Sequence, residues 1–111
     1  MARADRLERM ENQRIALEED YLALLLAALK RCAAGHWGLF DHTKDRAARA
    51  SVAAEIEALI ETGDAIDDLR EKLGMEIFAL HQEFLAARGP VKASAVGEPK
   101  QARAWLDRLG A

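Results

Sequence analysis

The chain has no proline before Pro90 and only one more after it, Pro99. A stretch that long without proline, in a composition rich in Ala, Leu, Glu and Arg, favours helix. Cysteine is almost missing as well. A lone Cys32 excludes an intramolecular disulfide framework and fits a reducing compartment. Long apolar runs are absent. The longest, Tyr21 to Leu29, falls far short of the ~20 residues that span a bilayer. The N-terminal Met-Ala-Arg-Ala-Asp-Arg is charged and is not followed by the apolar core of a signal peptide. A cytoplasmic location away from membranes is the expectation. Strong basic charge is lacking too: the net charge is -3. That argues against a primary nucleic-acid binder, which needs a basic face to displace counterions, although a local basic patch remains compatible. Nucleophile motifs are missing. Ser51 and Ser94 are the only serines, and neither lies in a Gly-x-Ser-x-Gly elbow. No phosphate-cradling glycine loop occurs.

What is present is helical punctuation. At 111 residues, half of them hydrophobic and 32% charged, the chain suits one soluble domain rather than a disordered segment. The first helix is expected from Ala4 to Ala33. Leu7, Met10, Leu17, Tyr21, Leu24 and Ala28 recur at helical spacing, with Arg14 interrupting the stripe. From Tyr21 onward Leu22, Leu25, Leu26 and Leu29 widen the apolar face, which marks burial from more than one direction. The second helix is expected from Lys44 to Leu73, with Asp41 or Thr43 as its cap and Asp45 near its positive end. Val52, Ile56, Leu59, Gly63, Ile66, Arg70 and Leu73 alternate spacings of four and three, which is a heptad seam. The seam keeps phase across Gly63, so the helix is expected to run through it, although Thr62-Gly63-Asp64 also reads as a stop and a cap. Gly63 on the seam admits a bulky neighbour such as Tyr21. A third helix is expected over 76–88 and a last one over 99–109, opened by Pro99 and carrying Trp105.

The fold class is therefore all-α. A helical bundle over 1–89 holds a long antiparallel hairpin (4–73, turn 35–43) and the third helix. A linker over 90–98 and the C-terminal helix complete a single domain. Two helices of about thirty residues, each roughly 45 Å long, are too long for the short ones to cover. The uncovered seam predicts a homodimer through Val52, Ile56, Leu59, Ile66 and Leu73.

Three constellations invite a functional reading. The turn Gly35-His36-Trp37-Gly38-Leu39-Phe40-Asp41-His42 concentrates aromatics and imidazoles between glycines. It reads as a hydrophobic plug over the end of the bundle, with Trp37 as the buried element and the indole N–H bonded to a helix-end carbonyl. The same His36, Trp37, Phe40 and His42 are the candidate residues for a partner or small ligand. Cys32 and His36, four apart, with His42 and His81 nearby, suggest zinc only weakly, because no Cys-x-x-Cys or His-Glu-x-x-His accompanies them. A buried thiol and helix-end imidazoles are the simpler account, so no metal or other cofactor is expected. Glu57, Glu61, Asp64, Asp68 and Glu71 form an acidic stripe that could recruit Mg²⁺. Their heptad positions point away from the seam, which suits a solvated face better than an inward metal site.

The segments Gly-His-Trp-Gly-Leu-Phe at 35–40, Leu-Arg-Glu-Lys-Leu-Gly at 69–74 and Gly-Glu-Pro-Lys at 97–100 resemble a small bacterial all-helical family of unknown function. The resemblance spans nearly the whole chain and implies the helical fold, with no activity attached. The expectation is a non-enzymatic interaction module, an adaptor or regulator that pairs with itself and with a protein partner. The alternatives are a small metal- or ligand-binding protein using Cys32, His36, Trp37 and His42, and a divalent-metal-dependent nucleotide hydrolase using the acidic stripe.

Overall fold

The computed structural model describes residues 2–89 and 96–111. Among them are four helices: α1 (Ala2–Ala33), α2 (Arg46–Lys72), α3 (Ala79–Ala87) and α4 (Glu98–Leu109). The chain is all-α. The long α1 and α2 pack antiparallel, and α4 lies against α1. The molecule measures 54 × 26 × 22 Å, so α1, about 48 Å long at 1.5 Å per residue, runs most of its length. The expected linker falls mostly on 90–95, outside the described residues.

Each helix ends for a local reason. At the end of α1 the amide of His36 bonds the Arg31 carbonyl (3.2 Å) and that of Gly35 bonds Cys32 (3.0 Å). This double closure requires a positive φ, which Gly35 supplies at 114°. The end of α2 repeats it, with Met75 N–H on Arg70 (2.8 Å) and Gly74 N–H on Glu71 (3.0 Å). The start of α2 corrects the expected cap. Asp45 is the cap and accepts from Ala47 and Ala48 N–H, while Thr43 Oγ1 accepts from Asp45 N–H. Asp41 instead turns the chain at φ 59°. The third helix begins at Ala79 and not at residue 76. The amide of Phe78 donates to Asp67 of α2 (2.7 Å) and Arg70 donates to the Glu76 carbonyl (3.0 Å), which holds this stretch out of the helix.

The core sits against the C-terminal half of α1, on one face only: Leu22 and Leu24, expected on the wide apolar surface, stay exposed. Tyr21, Leu25, Leu29 and Cys32 meet Leu59 and Ile66 from α2, Phe84 from α3 and Ala102 and Trp105 from α4. The helix is continuous through Gly63, as the unbroken seam implied. Its bulky neighbour is His81 and not Tyr21: a Cβ on Gly63 would stand 2.4 Å from the imidazole ring atoms. His81 is fully buried and is bonded at Nδ1 to the Tyr21 hydroxyl (2.9 Å), with Nε2 3.4 Å from Asp64. Helix propensity alone makes Gly63→Ala stabilising by about 1 kcal/mol. Overpacking against a buried, bonded ring costs about 1–3 kcal/mol and more once the Tyr21 bond breaks. The expected net result is destabilisation of about 2 kcal/mol in urea titration. A gain in stability would show that His81 is free to move.

Arg70, a charged residue on an apolar seam, also acquires its reason. It grips Glu18 of α1 through Nη2 (2.8 Å) and Nε (3.2 Å) and stacks on Phe78 with its carbon 5.1 Å from the ring centre. Arg14, which interrupted the α1 stripe, binds Glu18 and Glu11 on the same side. Burial alone raises the Glu18 carboxyl. Hydrogen bonds from Arg70 and Arg14 outweigh it and leave the pKa below its ordinary 4.5. A depressed carboxylate stabilises the fold above its unfolded pKa, and that contribution disappears as pH falls through the folded value. Stability should therefore decline on acidification below about pH 4.5. Glu18→Gln should cost on the order of 1–2 kcal/mol at neutral pH and make the acid decline shallower. Denaturant titrations at stepped pH are the check, and an unchanged acid limb would remove Glu18 as its source.

Candidate functional site

The turn between α1 and α2 is built around a residue from the far end of the chain. Glu98, the first residue of α4, is fully buried. Its carboxylate accepts from three turn amides: Phe40 (2.6 Å) and Gly38 (3.0 Å), with His42 at 3.3 Å. A carboxylate taken out of water needs this many donors, and the positive end of its own helix adds to them. The turn's carbonyls are satisfied from other directions. Arg88 Nε donates to Leu39 (3.0 Å), Gly89 N–H to Phe40 (3.1 Å), and Arg103 to Ala33 at the end of α1 (3.1 Å).

Gly38 makes the close approach possible. It sits at φ 121°, and a Cβ there would stand 2.8 Å from the Val52 side chain and 3.0 Å from the Ala48 carbonyl. The chain reverses at this point, which sends Leu39 and Phe40 inward. Both are buried, and Phe40 meets Trp105 at 6.0 Å and Phe84 at 6.4 Å between ring centres. The turn is thus a hydrophobic plug, but Trp37 is not its buried element. Trp37 lies before the reversal and is 36% exposed. Its ring covers Gly97, with ring carbons 3.5–3.7 Å from where a Cβ would sit. It shields the start of α4.

The candidate residues are therefore divided. Phe40 is core. His36 and Trp37 line a shallow cleft of about 510 Å³ with Thr43, Asp45 and Ser51. His42 is half-buried, and its Nδ1 has no hydrogen-bond partner among the described residues. Cys32 is buried in the core, while His36 faces solvent. Burial first, and then the charge of Glu98, push the Cys32 thiol up to about 12. It is consequently a poor nucleophile and a poor metal ligand at neutral pH. Among the described residues no three His, Cys, Asp or Glu side chains converge as a metal site. The acidic stripe Glu57, Glu61, Asp64, Asp68 and Glu71 is exposed along its length.

Three of the five residues of the expected pairing seam are covered within the chain. Val52, Leu59 and Ile66 are buried, and Ile56 and Leu73 are half-buried. Of these residues only Ile56 and Leu73 keep surface that a second copy could reach. The C-terminal helix docks on its own chain through Trp105 and Ala102. Comparison with protein-family models, curated proteins and solved structures found no match, so the reading rests on the chain's own residues. No described helix is long and apolar enough to cross a membrane.

Proposed function

We propose that the protein is a non-catalytic interaction module, an adaptor or regulator working through helix surfaces. One observation carries this reading. α1 presents large apolar side chains to solvent: Leu7 is 44% exposed, Ile15 43% and Leu22 39%. Ile15 and Leu22 border a cleft of about 520 Å³ with Phe78, Leu80 and Leu109, rimmed by Arg14 and Glu18. Apolar side chains grouped beside a groove with a charged rim are the usual composition of a helix-binding surface. The polar groups that might do chemistry are meanwhile engaged in holding the fold: Glu98 in the turn, His81 on Tyr21, Arg70 on Glu18.

Site-specific photocrosslinking in the source cell tests the proposal. A photoreactive residue at Ile15 or Leu22 should trap a discrete partner, and one at exposed Asp20 should not. Equal, diffuse labelling from all three positions would overturn it. A second reading keeps the turn as a small-ligand site, favoured by the cleft under His36 and Trp37. Elemental analysis and ligand-induced melting shifts, compared with a His36→Ala variant, separate the two.

A further inference from the structure

The exposed flank of α2 carries a symmetric order of side chains. Ala53 stands at its centre. Ala50 and Ile56 lie three residues to either side, Arg49 and Glu57 four, and Arg46 and Ile60 seven, with Glu61 beside Ile60. Helical geometry places them on one face. They line one open groove of about 590 Å³, walled by Gly38 and Arg88. Ala50 and Ala53 are exposed, and Ile56 and Ile60 are half-buried. The floor is therefore apolar, one end is basic and the other acidic. Arg49 stands 3.4 Å from Asp41. Arg46, Glu57 and Glu61 are in no ion pair among the described residues.

A two-fold axis level with Ala53 sets the basic end of one copy over the acidic end of the other. An antiparallel α2 from a second copy would lay the stem of Arg49 along Ile56 and set Glu57 over the small Ala50, with the Arg49 and Glu57 head groups within side-chain reach of each other and Arg46 beside Glu61. The central alanines let the two backbones come close. An anionic amphiphile would satisfy the arginines but would leave the acids facing its tail. Only an occupant with the reverse order of charge uses both ends, and this chain supplies one.

We propose that the α2 flank Arg46–Glu61 is a self-complementary surface that pairs two copies of the chain antiparallel about Ala53. The inference rests on the interaction-module reading and names one of its partners. The apolar floor supplies the attraction. Exposed ion pairs are individually weak and chiefly set direction and register. The strip is about 24 Å long, which is small beside the ~800 Å² per partner of a standard interface, so the dimer is weak and concentration-dependent.

Sedimentation equilibrium from about micromolar to about millimolar protein is the test, with helix content followed by circular dichroism. The wild type should pass from monomer to dimer across that range. The double variants Arg46→Glu/Arg49→Glu and Glu57→Arg/Glu61→Arg should each weaken pairing by at least about tenfold without loss of helix. Mixing the two should restore affinity to within about threefold of wild type, a result that misfolding cannot produce. Leu22→Arg should leave the dimer intact. A wild type that stays monomeric, charge reversals without effect, or a dimer lost on Leu22→Arg would each overturn the proposal. A monomer that still crosslinks a partner through Leu22 would end this inference and leave the interaction-module reading standing.

Discussion

Glu98→Ala is expected to be the most damaging single substitution in the chain, lowering stability by roughly 4–6 kcal/mol. The loss comes from what remains behind. Two buried turn amides, of Gly38 and Phe40, and the half-buried amide of His42 would lose their acceptor together. Each unpaired buried donor costs about 1–3 kcal/mol, and the bonds lost are charge-assisted. The turn and the start of α4 would separate, and Trp37 would lose its seat over Gly97. Glu98→Gln tests the charge apart from the shape. Its carbonyl can still accept, but its amide nitrogen faces another donor, so about half of the loss should persist. Urea titration followed by Trp fluorescence measures both. A Glu98→Ala protein within about 1 kcal/mol of wild type would mean that water satisfies the turn and that α4 is not held by this residue.

Phe40→Ala is expected to cost about 3–5 kcal/mol, and Trp37→Ala less, about 2 kcal/mol. Phe40 has no exposed surface and packs among Phe84, Trp105 and the α1 core, so truncation leaves a cavity that its neighbours cannot close. Trp37 keeps about a third of its surface in water and sits over Gly97 at the rim, where truncation leaves no closed cavity. Thermal and urea unfolding of the two variants give the comparison directly. The reverse order would place the indole, and not the phenyl ring, inside the plug.

This contrast shows what the sequence held about the turn. The glycines, the aromatics and their position between two helices identified a plug. Which aromatic fills it did not follow, because size favoured Trp37. The decision lies in the chain reversal at Gly38, where Val52 and Ala48 leave no room for a Cβ. Glu98 gave even less signal. An acid on the first turn of a short helix is ordinary, and nothing local separates a solvated one from one buried against a loop 60 residues away. Gly63 was readable as a place for something bulky, yet the identity of His81 depended on where α3 crosses.

Spacing and punctuation by themselves determined the helices, the hairpin, the continuous α2, the apolar half of α1 and the outward acidic stripe. Those features follow from interactions within about four residues, which periodicity records. Tertiary structure alone decided that α4 docks on its own chain, that Glu98 is the acceptor of the turn, and that Arg70 sits on the seam because Glu18 faces it. It also decided that Val52, Leu59 and Ile66 of the seam are buried within one chain. Those outcomes depend on polar groups far apart in sequence meeting out of water. There each unpaired donor or charge carries a penalty large enough to select one arrangement, and no local pattern encodes which partner will meet it.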